Sequence, residues 1–140
     1  MIHLTLASHG NLSKGMLESV AMIAGQEAVA NIATYCLQPG ENPNDYVALI
    51  KSDIASSNDT YVFICDIKGG SVYNAVVSIC DLPNVVILSG MNMNMVLAFV
   101  LAYGQGDKEV DYAQILKEST GGIGLTKSST VHQNIIEEEF

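Results

Sequence analysis

The sequence contains no arginine and no tryptophan, and its six lysines are outnumbered by fifteen acidic residues, which gives a formal net charge of -9. Phosphate-backbone binding depends on clustered positive charge, so this composition excludes nucleic acid as an expected partner. The missing arginine has a second consequence. Any phosphate bound here would be held by backbone amides, hydroxyl groups or lysine, because no bidentate guanidinium is present.

Long apolar runs and targeting signals are also missing. The longest apolar run, residues 95–103, has nine residues, whereas a membrane-spanning helix requires about 20. The N-terminal residues lack the basic region and cleavage pattern of a secretory signal, and neither end shows a lipidation pattern. We therefore expect a cytoplasmic protein.

Cysteine is scarce, and its spacing is uninformative for metal binding. Cys36, Cys65 and Cys80 are odd in number and form no C-x-x-C pair, which predicts neither a disulfide framework nor a zinc site. We expect reduced core thiols. No metal and no cofactor is predicted.

Short apolar runs alternate with amphipathic segments along the chain. The predicted strands are 2–8, 29–37, 61–65 and 85–88, and the predicted helices are 12–24, 43 onward, 71–80, 92 or 94 to 102, and 111–118. The apolar helix residues expected to form stripes are Met16, Val20, Ile23 and Ala24 in the first helix, and Tyr46, Leu49, Ile50 and Ile54 in the second. Successive βα units predict an α/β fold with an open, doubly wound, mainly parallel sheet in the flavodoxin-like order 2-1-3-4.

The length of 140 residues fits one domain with its own core. We assign residues 1–126 to that domain. Residues 127–140 are polar, end in an acidic run, and are predicted to form a flexible tail.

His9 is the most informative residue, because the first predicted strand delivers it to a turn at Gly10. Imidazole has an unperturbed pKa near neutrality, so it can act as a nucleophile, a proton carrier or a ligand. His3 and His132 have no comparable setting in the sequence. His9 is therefore predicted to be an exposed imidazole on a rigid sheet edge.

Asp66 follows the third predicted strand and leads into Gly69, Gly70 and Ser71. In the order 2-1-3-4 the ligand-binding switch point lies between strands one and three, which makes His9 and Asp66 predicted neighbours. The glycines allow a close backbone approach, and Ser71 caps a helix whose free N–H groups favour an anion.

These residues are typical of a phosphoryl-accepting histidine. Asp66 would fix the tautomer of the His9 ring and stabilise positive charge on it. The other ring nitrogen would attack phosphorus, while the Ser71 hydroxyl and adjacent amides would hold the phosphoryl oxygens.

Four motifs in matching order give the chain, over residues 1–125, a family resemblance. The motifs are Ala7-Ser8-His9-Gly10, Pro39-Gly40-Glu41-Asn42, Asp66-Ile67-Lys68-Gly69-Gly70-Ser71-Val72-Tyr73-Asn74 and Gly90-Met91-Asn92. The chain resembles the enzyme IIA domain of mannose-family sugar phosphotransferase systems. The resemblance implies that His9 is the phosphorylated position, Asp66 the orienting carboxylate and Ser71 the helix-start serine beside the phosphoryl group.

The resemblance also implies partners. The chain would take phosphate from the phosphocarrier HPr, pass it to a cognate enzyme IIB, and act indirectly with the membrane subunits enzyme IIC and IID at the inner face of the membrane. A homodimer is implied, with an antiparallel edge strand at about 123–125. The family often has an aromatic residue where Lys68 stands and a proline where Val72 stands. Lys68 would either add a cation beside the phosphoryl group or contact a partner.

Other functions fit parts of the same pattern. The phosphotransfer subunit of a dihydroxyacetone kinase would use the same histidine, and a non-catalytic flavodoxin-like module would bind a nucleotide or flavin at the same edge. A hydrolase would use Ser8 or Ser71 with His9 and Asp66, although no G-x-S-x-G elbow is present. In a purely structural interpretation, Asp66 is a helix-entry cap and residues 69–71 form a tight turn.

Overall fold

The computed structural model describes residues 1–103 and 109–129. One parallel sheet has the order β2-β1-β3-β4, which confirms the predicted α/β topology. The strands are β1 (Ile2–His9), β2 (Ala33–Leu37), β3 (Thr60–Cys65) and β4 (Val85–Ser89). The helices are α1 (Leu12–Ala24), α2 (Gln26–Val29), α3 (Pro43–Ala55), α4 (Ser71–Val77), α5 (Met93–Tyr103) and α6 (Tyr112–Gly121).

The sheet has a separate core on each face, because successive side chains of a strand point to opposite sides. Leu6 and Ile64 pack with residues of α1, α5 and α6, whereas Ala7 and Phe63 pack with residues of α3 and α4. Full burial of such apolar side chains contributes about 1.5–3 kcal/mol each. His9 follows Ala7 by two residues and therefore lies on the α3 and α4 side of the sheet.

The start predicted for the second strand is wrong. Residues 26–29 form α2 instead, after Gly25 ends α1 with a positive φ of 94°. The strand begins only at Ala33, where it pairs with Thr5. The helical turn buries Val29, so an apolar residue that looked like part of a strand is buried in a helix.

Predictions for three helices are wrong in detail. Ile23 and Leu49 were assigned to packed stripes, but both are exposed, and Leu49 is 78% exposed. The helix α4 ends at Val77, three residues earlier than predicted. A turn follows, in which the Cys80 N–H donates to the Val77 carbonyl oxygen.

The C-terminal part of the domain differs from the prediction. Residues 123–127 form no strand and are exposed, so the predicted antiparallel edge strand is absent from the described sheet. Most of the predicted flexible tail, and His132 within it, lie outside the described residues.

The three thiols have different environments. Cys65 is buried, and this burial raises the pKa of its thiol to about 12. Cys36 is half-buried, and Cys80 is exposed, so the prediction of a core thiol is wrong for Cys80. None of the helices in the described parts of the chain has the length and apolar character needed to span a membrane.

Candidate active site at the carboxyl ends of β1 and β3

The pairing of β1 with β3 brings His9 and Asp66 together. Ala7 is in register with Cys65, so the residues that follow these two positions meet at the same sheet edge. The Asp66 N–H donates to the Ala7 carbonyl oxygen at 3.1 Å and extends the ladder by one bond. The prediction that His9 and Asp66 are neighbours is therefore confirmed.

The Asp66 carboxylate holds His9 through both its backbone and its ring. Oδ2 accepts a hydrogen bond from the His9 backbone N–H at 2.8 Å and lies 2.7 Å from His9 Nδ1. Oδ1 accepts from the Ile67 N–H at 2.9 Å. Because an ionised carboxylate only accepts hydrogen bonds, it favours the proton on Nδ1 and leaves a lone pair on Nε2.

The protonation state of Asp66 suits this arrangement. Burial raises the pKa of Asp66, but hydrogen bonds from the His9 backbone, the His9 ring and the Ile67 backbone outweigh it and lower the pKa below its usual value. The side chain of Asp66 is 10% exposed, whereas that of His9 is 48% exposed. A sheltered anion therefore orients an accessible ring.

Ser71 occupies the other side of the imidazole. Its hydroxyl lies 3.1 Å from His9 Nε2, so the two predicted site residues are in contact. The prediction that Ser71 caps the helix is wrong, because Gly70 is the N-cap and Ser71 is the first helical residue. The hydroxyl is directed to the imidazole instead.

The two positions before Ser71 favour glycine for different structural reasons. Gly69 has a φ of +82°, a conformation that side chains rarely adopt. A Cβ at Gly70 would lie 2.8 Å from Ile67 Cγ2 and 3.3 Å from His9 Cε1. A side chain at this position would require Ile67 and the His9 ring to shift, so glycine lets the turn approach the ring without displacing it. The Asn74 side-chain amide donates to the Gly69 carbonyl oxygen at 3.2 Å and fixes the turn to α4.

Lys68 is the predicted site residue that the structure does not connect to the others. It is exposed in the turn after β3, and no hydrogen bond or ion pair joins it to His9, Asp66 or Ser71.

Within residues 1–103 and 109–129, no group of three or more His, Cys, Asp or Glu side chains could hold a metal ion.

A second histidine–carboxylate pair lies at the opposite end of the sheet and was not predicted. His3 Nε2 is 2.8 Å from Asp59 Oδ2, and its ring stacks on Tyr61 at a centroid distance of 4.6 Å. The Met1 ammonium group also contacts Asp59, at 3.3 Å. The partner lies 56 residues away in sequence, so no local pattern around His3 could have revealed it.

Ser8 shapes the loop that carries His9. Its fully buried hydroxyl donates to the Gly10 carbonyl oxygen at 3.2 Å and accepts from the Ser13 N–H at 2.8 Å. Asn11, at the N-cap of α1, makes no side-chain cap bond, so Ser8 satisfies the helix N-terminus from the preceding strand. The burial of Ser8 opposes the alternative role of hydrolase nucleophile.

We predict that Ser8→Ala lowers the free energy of unfolding by about 1–3 kcal/mol, because the buried Ser13 N–H and the partly buried Gly10 carbonyl oxygen lose their partner. The loss of these bonds also loosens the loop and reduces the preference for the Nδ1–H tautomer of His9. Urea unfolding measures the first effect, and ¹⁵N chemical shifts of the His9 ring measure the second.

Ser13→Ala is the matched control, since the Ser13 hydroxyl is buried without a hydrogen-bond partner among the described residues. It should leave the His9 tautomer unchanged and cost little or no stability. Equal effects of the two substitutions would contradict the assigned role of Ser8.

Known proteins resemble this chain in sequence. Residues 3–116 match a family model described as EIIA-man, the PTS system fructose IIA component. The sorbose-specific EIIA component of the PTS from Klebsiella pneumoniae is 30% identical over 102 residues, which cover 71% of this chain and 73% of that protein.

Solved structures share the fold. The PTS IIA protein associated with the fucose utilization operon of Streptococcus pneumoniae has a TM-score of 0.76 at 23% identity, with 96% of each chain covered. The phosphotransferase system component EIIA from Streptococcus agalactiae has a TM-score of 0.76 at 23% identity, covering 89% of this chain and 97% of that one.

The alternatives weighed from the sequence are not favoured by these matches, which carry the names of sugar PTS components. The match to the family model covers most of the chain. The sorbose-specific relative supports the same family assignment. The chain therefore belongs to the EIIA-man family and is an EIIA component of the PTS, a phosphocarrier in sugar uptake.

Proposed function

We propose that His9 is the phosphoryl acceptor of this carrier and that the group is bonded to Nε2. The observation that carries the proposal is the ring geometry: Nδ1 lies 2.7 Å from Asp66 Oδ2, while Nε2 lies 3.1 Å from the Ser71 hydroxyl on a side chain that is 48% exposed. One nitrogen is engaged by an anion, and the other is accessible to a partner protein.

The proposed transfer exchanges one phosphorus–nitrogen bond for another. The lone pair on His9 Nε2 attacks phosphorus of the phosphohistidine of HPr, the P–N bond to HPr breaks, and the HPr imidazole keeps its electron pair. The proton on His9 Nδ1 stays in the hydrogen bond to Asp66, which stabilises positive charge on the phosphorylated ring. No base is needed to activate the nucleophile, so positioning provides most of the acceleration.

Ser71 and the backbone around Gly70 are proposed to hold the phosphoryl oxygens. The first N–H groups of a helix have no partner within the helix, and α4 begins beside the His9 ring. Gly69 and Gly70 allow the turn to lie close to the group being transferred. Lys68 is exposed in this turn, and we propose that it supplies a cation either to the phosphoryl group or to the partner protein.

We propose that a cognate enzyme IIB then takes the phosphoryl group from Nε2 of His9, in the cytoplasm. The membrane subunits enzyme IIC and IID would then be indirect partners, and the carrier would be peripheral at the inner face of the membrane. The exposed imidazole supports this two-partner cycle, because the same nitrogen must meet first the donor and then the acceptor.

We also propose a homodimer. The outer edge of β4 has no neighbouring strand in the described sheet, and open strand edges readily pair with another chain. The segment 123–127 begins beside the turn that follows β4, because Asn92 donates to the Ser119 carbonyl oxygen at 3.0 Å and Gly122 lies against Asn94. Ile123 and Leu125 are exposed in that segment, so a second copy would cover apolar surface.

His9→Ala should abolish phosphorylation, because it removes the only nitrogen proposed to attack phosphorus. Intact-mass spectrometry after incubation with phosphoenolpyruvate, enzyme I and HPr would show one phosphoryl adduct on the wild type and none on the variant. The adduct should be labile in acid and stable in base, as a phosphoramidate is. His3→Ala is the control, since it removes the other carboxylate-paired histidine and should be labelled normally. A labelled, folded His9→Ala protein would sink the proposal.

Asp66→Asn should slow phosphorylation by at least roughly 100-fold while the protein stays folded. The amide Nδ2 would donate to His9 Nδ1 and place the ring proton on Nε2, the nitrogen that must attack. Rapid-quench measurement of transfer from phosphorylated HPr would give the rate, and ¹⁵N shifts would give the tautomer. An unchanged rate combined with a reversed tautomer would contradict the proposed orientation.

The same variant gives a stability control with a defined pH dependence. The folded-state pKa of Asp66 is lowered, so its ionised form contributes stability above the ordinary pKa of about 4, and this contribution is lost as pH falls through the lowered value. Near neutrality, the unfolding free energy of the wild type should exceed that of Asp66→Asn by about 1–3 kcal/mol. The difference in unfolding free energy should disappear in strong acid.

Ile123→Asp combined with Leu125→Asp should shift the protein toward the monomer, because the substitutions place charge in the proposed interface. Light scattering coupled to size exclusion measures the change in mass. Met22→Asp, on an exposed face of α1, is the control and should leave the mass unchanged. A monomeric wild type at micromolar concentration would refute the dimer.

A further inference from the structure

A pocket of about 480 Å³ opens between the loop after β2 and the first turns of α3. Its lining residues are Tyr35, Gly40, Glu41, Asn42, Asp45, Tyr46 and Leu49. None of these residues belongs to the His9 site. The pocket is therefore separate from the residues that are proposed to act in the transfer step.

One wall of the pocket is aromatic. The Tyr35 and Tyr46 rings stack with their centroids 4.0 Å apart and an interplanar angle of 12°. Burial raises the pKa of Tyr46 to about 12, so its phenol is neutral near pH 7. Leu49 extends the wall with an apolar side chain that the helix leaves in solvent.

The polar part of the lining is acidic. Glu41 Oε1 accepts from the Gln38 N–H at 3.0 Å, and Asp45 lies in the first turn of α3. No lysine forms an ion pair with either carboxylate in the parts of the chain that the structure describes. Burial, followed by the charges of Glu41 and Asp45, raises the pKa of Tyr35. The pocket thus combines negative potential with an aromatic wall.

The pocket lies next to His9 on the same face of the sheet. Leu37 is in register with His9 and Tyr35 with Ala7, one strand away. A spacing of about 4.8 Å between strands and a two-residue offset place the Tyr35 Cα roughly 8 Å from the His9 Cα. The two loops are also bonded, since the Gly10 N–H donates to the Leu37 carbonyl oxygen at 2.7 Å and Gln38 Nε2 donates to Asn11 Oδ1 at 3.1 Å.

We propose that this pocket receives a lysine or arginine side chain of the protein that donates phosphate to His9. The inference rests on the proposed function and adds a docking site to it. Aromatic faces attract ammonium and guanidinium groups, and the long apolar stem of a basic side chain suits the exposed Leu49. The two carboxylates complete the charge complementarity and would repel a phosphate or another anionic ligand.

The electrostatics of the encounter favour this occupant. The chain carries a formal net charge of -9, and its donor brings a phosphoryl group of the same sign. An acidic pocket that binds a cation beside His9 provides local attraction, which offsets the repulsion between this negatively charged chain and the incoming phosphoryl group. Charge pairs at the rim of an interface act mainly on the association rate and on its salt dependence.

The test is the double variant Glu41→Gln with Asp45→Asn, which removes both charges and keeps the shape of the pocket. Initial rates of phosphoryl transfer are measured against the concentration of phosphorylated HPr, between about 50 and 500 mM NaCl. The KM for HPr should rise roughly 3- to 10-fold at low salt, with kcat unchanged, and the difference should shrink as salt screens the charges.

Glu27→Gln with Asp53→Asn is the matched control. It removes the same charge from the first turn of α2 and the last turn of α3, and neither side chain lines the pocket. Its KM for HPr should stay within about 2-fold of the wild type, because Asp53 lies about two helical turns beyond Asp45, and solvent and salt weaken the attraction of a basic side chain in the pocket to a more distant exposed charge. Equal effects of the two double variants on the KM would overturn the inference, because net charge alone would then explain the change.

A binding measurement separates this inference from the proposed function. Titration of unphosphorylated HPr into ¹³C-labelled protein should shift the ring signals of Tyr35 and Tyr46 in the wild type, and these shifts should be lost in the pocket variant. Unmoved tyrosine signals on saturation with HPr would overturn the docking site, even with His9 phosphorylated normally. Shifted signals with no phosphorylation of His9 would refute the acceptor role and leave the pocket standing.

Discussion

The Asp66 carboxylate joins the ends of the two central strands, and the position of the His9 ring depends on that junction. One oxygen meets both the backbone N–H and Nδ1 of His9, and the other accepts from the Ile67 N–H. Because the chain turns at both residues, this single group sets the direction of two loops. Its hydrogen bonds also keep the carboxyl pKa low, so the anion that orients the ring persists near neutral pH.

His9 is held by different contacts on its buried side and on its exposed side. Ser8 holds the loop from the α1 side through a fully buried hydroxyl, while Ser71 meets the ring from the solvent side. A chain without arginine has no guanidinium to place at a phosphate. Neutral donors and close glycine backbone fit that composition, and two carboxylates, Glu41 and Asp45, lie in the separate pocket beside Tyr35 and Tyr46.

Much of the fold could be predicted, because the periodicity of apolar residues differs between buried strands and helices. The third strand was placed within one residue of its observed limits, Thr60–Cys65, and the first helix matched Leu12–Ala24. The second strand was predicted too early, since Val29 is buried from a helical turn rather than from the sheet. Leu49 was misplaced because helical spacing identifies a stripe but not whether another element covers it.

The sequence by itself determined the parallel strand order and, through it, the meeting of His9 with Asp66, because topology fixes which strand ends are adjacent. It also determined the glycines of the turn and the absence of a guanidinium. Only the tertiary structure decided that the Ser71 hydroxyl faces the imidazole instead of capping α4, that Ser8 closes the loop from behind, and that Tyr35 stacks on Tyr46. Those contacts depend on side-chain directions and on how the helices pack against the sheet, which local periodicity does not encode.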